Sequence, residues 1–327
     1  MQSTSAHRPG NPGRITWRSC LVAAFALSGS VLPSCRQTRD LPACHEPAPM
    51  TGPKLDAVGD PVVVGAGDIA LSSDTAGAEA TAKLLDGIDG HVITLGDNAY
   101  ENATLDDFLD AYAPTWGRHR WRTHPAIGNH EYNVPHGAPY FAYFCEAAGA
   151  PLKGYYSYDV GAWHFIVLNS NCAEKDADAP PCDAGSEQER WLRADLAAHP
   201  AKCTAAYWHH PRFSSGSKGD DASVQPLWQA LYDAGADVVL SGHSHVYERF
   251  GPQDPTGHAD PERGIREFVV GTGGADLSSF DASHANSEAR KAGQHGVIKL
   301  TLHAESYDWA FLTVDGAVND AGRGACH

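Results

Sequence analysis

The sequence predicts an α/β protein with a largely parallel central core. Three observations carry this: short apolar runs ending in glycine recur along the chain, helical patterns separate several of them, and alternating strands without helices follow residue 265. The first run, "PVVVGAG" at 61–67, holds three consecutive valines and reads as a buried strand. A helical pattern at 75–88 leads to "HVITLGD" at 91–97, and another at 103–112 precedes "HPAIGNH" at 124–130. "WHFIVLNS" at 163–170, the helical "SEQERWLRADLAAH" at 186–199 and "TAAYWHH" at 204–210 continue the alternation. "SVQPLWQALYDAG" at 223–235 reads as a helix closed by a C-cap glycine, before the strand "ADVVLSGH" at 236–243. The closing runs "IREFVVGTGG", "GVIKLTLHA" and "SYDWAFLTVDG" alternate with period two and predict an antiparallel part of a second sheet. Residues 132–160 are rich in Tyr and Phe and read as core and loop packing, with an aromatic substrate wall as the alternative.

Residues 1–35 read as an export signal. Arg8, Arg14 and Arg18 precede "CLVAAFALSGSVLPSC", an apolar run too short to span a bilayer comfortably. The run ends at Cys35 in "LPSC", which looks like a bacterial lipobox with proline in its second position; an ordinary signal cut nearby is the alternative. The expected location is extracellular, periplasmic or lipid-anchored at the cell surface through Cys35, with no other membrane segment in the mature chain. Residues 36–59 read as a Pro-rich linker, and 60–327 as one domain. With the three arginines of 1–35 removed, 21 basic residues face 40 acidic ones, a net charge near −19. Such a surface repels polyanions and argues against nucleic acid as a partner.

Six cysteines follow the signal: Cys44, Cys145, Cys172, Cys182, Cys203 and Cys326. An even number in an exported chain predicts three disulfides. Cys172–Cys182 would clip a polar loop, Cys44–Cys326 would tie the two ends, and Cys145–Cys203 would remain. Six cysteines allow about fifteen pairings, and spacing does not choose among them.

The chemistry lies where the strands end. After the first run comes Asp68; after the second, "GDNAY" with Asp97 and Tyr100; after the third, "GNHE" with Asn129, His130 and Glu131. "HHP" brings His209 and His210, and "SGHSH" brings His243 and His245. Singly each is ordinary: Gly-Asp is a common turn, Asn a helix cap, His-x-His a polar strand edge. In α/β sheets, however, the ligand crevice lies outside the carboxyl ends of the strands, so these residues should converge. Carboxylate, amide oxygen, phenol and imidazole together suit hard or borderline cations such as iron, manganese and zinc.

The order GD, GDxxY, GNHE, HxP, GHxH resembles the calcineurin-like metallophosphoesterases, and "GDNAY" with "GHSHVYER" is most similar to their purple acid phosphatase branch. The resemblance covers about 61–314. It implies a four-layer α/β/β/α sandwich with mixed sheets, making 60–327 a catalytic domain. It also implies two metal ions, Fe(III) beside Zn, Mn or Fe(II). By motif position, Asp68, Asp97, Tyr100 and His245 would hold the first, and Asp97, Asn129, His209 and His243 the second. Ala70 stands where most of the superfamily has histidine, and Tyr100 is available instead.

The implied reaction is hydrolysis of a small phosphate monoester, with a small diester as the alternative; a secreted module that binds metal without turnover is a further one. Two cations can activate a water and neutralise phosphate charge together. His130 would stabilise the transition state or protonate the leaving group, and Glu131 would orient it. His210 and Arg212, in "HHPRF", would contact substrate phosphate, with surface positions as the alternative.

Overall fold

The computed structural model describes residues 44–45, 55, 59–172 and 179–327. Residues 1–35, expected to be an export signal ending at Cys35, and most of 36–59, expected to be a linker, lie outside the described residues. The chain divides into Met1–Asp40 and Leu41–His327, and the strands and helices below belong to the second unit. No helix among the described residues is long and apolar enough to cross a membrane.

The strands are β1 (Val62–Ala66), β2 (Ala70–Leu71), β3 (His91–Leu95), β4 (Ala99–Tyr100), β5 (Thr123–Ala126), β6 (Tyr156–Val160), β7 (Trp163–Val167) and β8 (Cys203–Tyr207). They continue as β9 (Val238–Ser241), β10 (Tyr247–Phe250), β11 (Arg266–Val270), β12 (Ser287–Lys291), β13 (Gly296–Leu302), β14 (Ser306–Thr313) and β15 (Val318–Ala325). The helices are α1 (Ala76–Asp86), α2 (Leu105–Asp107), α3 (Ala138–Phe144), α4 (Glu187–Ala198) and α5 (Gln225–Asp233). One sheet has the order β15-β14-β13-β1-β3-β5, and the other β12-β10-β11-β9-β8-β7-β6. The pairs β1–β3, β3–β5, β7–β8 and β8–β9 are parallel, as helix-separated strands require, and β9–β11 is parallel too, with β10 between them in the chain.

Side-chain alternation builds the layers. On β7, Phe165 and Val167 face the core between the sheets, while Ile166 and the following Leu168 face an outer core with Leu192 of α4 and Leu227, Trp228 and Leu231 of α5. β8 repeats the division, with Ala205 and Tyr207 inward and Ala206 and the following Trp208 outward. α1 buries Ala78, Ala82 and Leu85 against the first sheet. The result is a mixed α/β sandwich with helices outside both sheets.

Two expectations are corrected. β13 and β14 do not enter a second sheet; they extend the first, with β13 antiparallel to β1. β11 does join the other sheet, antiparallel to β10 as expected on one side but parallel to β9 on the other. Period two signals a strand, but not which free edge the strand joins. The aromatic segment is core: Tyr140, Phe141, Tyr143 and Phe144 of α3 are buried, and Tyr143 stacks on Phe108 at 4.9 Å.

The disulfides also differ. Cys172–Cys182 forms as expected, but the others are Cys44–Cys145 and Cys203–Cys326. The fold explains both: His45 N–H donates to Ala142 O of α3 at 2.8 Å, and Cys326 N–H donates to Glu305 O at 2.9 Å, beside the start of β8. Cys203–Cys326 links residues 123 apart, so Cys203→Ser should cost about 2–5 kcal/mol of stability, measured by urea unfolding against the oxidised wild type.

Candidate metal centre

All seven predicted ligands converge at the carboxyl ends of the strands. Asp68, Asp97 and His243 have positive φ, at 60°, 50° and 64°. Three non-glycine residues in the left-handed region mark the turns that bend the chain sharply inward after β1, β3 and β9. Neighbouring glycines clear the space: a Cβ on Gly128 would collide with Asp97 Oδ1, and one on Gly242 would lie 2.8 Å from Asp68 Oδ2.

Each aspartate splits its two oxygens between structure and cluster. Asp68 Oδ2 accepts the His243 N–H at 2.8 Å, while Oδ1 lies 2.8 Å from the Tyr100 hydroxyl and 3.1 Å from His245 Nε2. Asp97 Oδ1 accepts the His130 N–H at 2.8 Å, while Oδ2 lies 3.0 Å from the Tyr100 hydroxyl and 3.1 Å from His209 Nε2. His209 Nε2 also faces Asn129 Oδ1 at 3.1 Å and His243 Nδ1 at 3.2 Å. Two donor sets result, and Asp97 Oδ2 lies in both.

These atoms fit cations. His209 Nδ1 donates to the Leu95 carbonyl at 2.8 Å, and His245 Nδ1 donates to the Asp276 carbonyl. Both rings therefore turn Nε2 toward the cluster, the tautomer that a metal-bound imidazole needs. Around His209 Nε2 stand the Asp97 carboxylate, the Asn129 amide oxygen and His243 Nδ1, more acceptors than one ring proton can serve and a set that a cation can satisfy together.

The electrostatics agree. Burial raises the pKa of Asp68, but the His245 charge and hydrogen bond outweigh it and hold the carboxyl below its usual range. At Asp97 burial is likewise outweighed, there by His209. Burial opposes the charge on His209 and His245, yet Asp97 raises the first to about 9 and Asp68 the second to about 8. Burial, with the adjacent His209, pushes His243 down to about 3. Burial and then the carboxylates of Asp68 and Asp97 raise Tyr100 well above its ordinary value, so only a strong neighbouring positive charge can ionise it near neutral pH.

The remaining predicted residues divide. His130 stands at the rim, its Nε2 3.9 Å from Asp97 Oδ2 and its ring 4.3 Å from that of Tyr100. The partner that orients it is the Glu101 carbonyl, 2.6 Å from Nδ1, and not Glu131. Glu131 is fully buried beneath the site. It accepts N–H groups from Asp97 at 3.1 Å, Asn98 at 2.7 Å and Gly128 at 2.7 Å, plus Asn98 Nδ2 at 3.2 Å. Burial and the Asp97 charge push its carboxyl up to about 7 against those donors. His210 is 3 % exposed, with Nδ1 2.9 Å from Ser170 Oγ and its ring 4.5 Å from that of His243. It packs behind the ligands and is closed to substrate. Arg212 stacks on Phe213 at 4.3 Å and donates to the Pro255 carbonyl, turned away from the expected phosphate contact. The orienting groups that sequence reading missed are the carbonyls of Leu95, Glu101 and Asp276, which no side-chain pattern announces.

Residues 57–247 match the model of the calcineurin-like phosphoesterase family. The chain is 26 % identical over 220 residues to purple acid phosphatase 15 of Arabidopsis thaliana, covering 56 % of this chain and 40 % of that protein. It is 33 % identical over 176 residues to probable purple acid phosphatase 20 of the same plant, covering 47 % and 39 %. It thus spans about two fifths of these curated relatives. The structure of purple acid phosphatase PPD1 from yellow lupin seeds shares the fold, with a TM-score of 0.66, 20 % identity, and coverage of 84 % of this chain and 55 % of that one. The match over most of the described core, with the ordered strand-end motifs, shows that this chain belongs to the calcineurin-like phosphoesterase family.

Proposed function

We propose that the chain is an exported phosphatase that hydrolyses small phosphate monoesters at a binuclear metal centre. The observation that carries this is the pair of donor sets meeting at Asp97 Oδ2. Asp68, Asp97, Tyr100 and His245 would hold Fe(III), for which the phenol is the discriminating ligand; Asp97, Asn129, His209 and His243 would hold Zn, Mn or Fe(II). When bound, the two cations set positive charge against the phosphate oxygens and acidify water. The chain's own groups do the rest. Asp68 and Asp97 fix the ligand loops through the His243 and His130 N–H groups. His130, with Nδ1 donating to Glu101, leaves Nε2 to hold a proton for the leaving oxygen. The basic, apolar N-terminal run and three disulfides support export through 1–35, with a linker to 59, a catalytic domain at 60–327 and Cys35 as an attachment point.

The test is turnover of p-nitrophenyl phosphate beside bis(p-nitrophenyl) phosphate, with iron, zinc and manganese supplied in turn. Faster monoester hydrolysis supports the proposal; diester preference moves the substrate class; no hydrolysis with cations bound overturns it. His130→Ala should lower monoester kcat about 10²-fold while metal analysis finds the centre still filled. Metal loss in that variant would contradict its place outside the ligand set.

Loading should also release protons. At pH 7 the metal-free His209 and His245, at about 9 and about 8, carry protons that the cations displace. Calorimetry in buffers of differing ionisation enthalpy should find about two released from these imidazoles, fewer as pH rises through 8 and 9, and a further one where Tyr100 ionises.

A further inference from the structure

At the opposite end of β7 from the metal centre, His164 sits on the strand face that α4 covers, beside Ile166 and Leu168 of the outer core. A nearly buried imidazole there stands out from the apolar Ile166 and Leu168 further along the same face, and its cross-strand partners are Asp159 and Thr204. α4 starts at the Ser186 cap and ends at His199, which puts Asp195 and His199 one turn apart on one helix face. One atom each from His164, Asp195 and His199 lie within 4.8 Å of one another.

We propose that His164, Asp195 and His199 form a further cation site, of the zinc class, outside the binuclear centre. Asp159, the cross-strand partner of His164 on β6, places Oδ1 2.8 Å from His164 Nδ1. A carboxylate oxygen accepts, so Nδ1 carries the proton and the ring offers Nε2, 2.9 Å from Asp195 Oδ2. That carboxylate–imidazole relay is the arrangement that orients zinc-binding histidines. Ser157 Oγ donates to Asp195 Oδ1 at 2.8 Å and holds the second oxygen. His199 Nδ1 donates to the Asp195 carbonyl at 3.0 Å and lies 3.3 Å from Asp195 Oδ1, so on binding it would exchange that carbonyl for the cation; its ring stacks on that of His164 with centroids 4.9 Å apart.

Charge and access suit a divalent ion. The carboxyl groups of Asp159 and Asp195 stand beside the two imidazoles, a donor set of mixed oxygen and nitrogen that suits zinc. The His164 side chain is 2 % exposed and that of Asp195 8 %, but that of His199 is 50 % exposed, leaving an approach from solvent and room for water as a fourth ligand.

The test counts zinc. The full chain is stripped of metal, incubated with zinc alone, freed of unbound zinc by gel filtration and analysed by mass spectrometry. The wild type should hold one equivalent more than His199→Ala, whose half-exposed side chain is replaceable without loss of fold, and His164→Asn should show the same deficit. Both variants should keep wild-type turnover of p-nitrophenyl phosphate. A failure of the binuclear reading would change all three proteins equally and leave the difference intact. Equal zinc in wild type and His199→Ala overturns the proposal.

Discussion

Asp97→Asn should lower monoester turnover by more than about 100-fold, beyond what groups outside a ligand set usually cost. Asp97 Oδ2 faces Tyr100 on one side and His209 on the other, so one substitution reaches both donor sets. Asparagine keeps the shape, and its carbonyl can still accept the His130 N–H that Oδ1 receives, so the loop geometry should survive. What goes is the negative charge that holds His209 up at about 9 and that balances two cations. Metal analysis should find loss from both sets, and steady-state kinetics the loss in kcat. Turnover within about threefold of wild type, with both cations retained, would show that Asp97 is not shared.

Glu131→Ala should be the most destabilising single change near the site, by about 3 kcal/mol or more in urea unfolding. Three backbone N–H groups, from Asp97, Asn98 and Gly128, end on its carboxylate in a fully buried position. Truncation leaves them without acceptors, at about 1–3 kcal/mol each before relaxation. Glu131→Gln keeps one oxygen but turns an amide donor toward an N–H, so it should fall between. Because these donors lie on the loops after β3 and β5, both variants should also weaken metal retention. A Glu131→Ala protein as stable as wild type would show that other groups or water satisfy those loops.

The convergence of the strand-end residues was legible because each stands directly after an apolar run and a turn, and the α/β arrangement forces those ends together. Asp68, Asp97, Tyr100, Asn129, His209, His243 and His245 needed only that logic. The rest depended on contacts that no local pattern encodes. Glu131 stood out by its motif, but its partners are backbone N–H groups, invisible in side-chain identity. His210 and Arg212 follow a ligand directly, yet the turn at Pro211 buries one and sends the other to Phe213 and Pro255. The placing of β13 and β14 and the Cys44–Cys145 and Cys203–Cys326 pairs arise from which edges and ends meet in three dimensions. His164 was hidden for the same reason: its partners lie on β6 and α4, and only packing brings them together.

The measurement that tests the centre most directly is anomalous diffraction from crystals of the chain loaded with iron and zinc, recorded at both absorption edges. The account predicts two peaks flanking Asp97, the iron peak beside Asp68, Tyr100 and His245 and the zinc peak beside Asn129, His209 and His243. A single peak there, or two peaks that do not share Asp97, would contradict it.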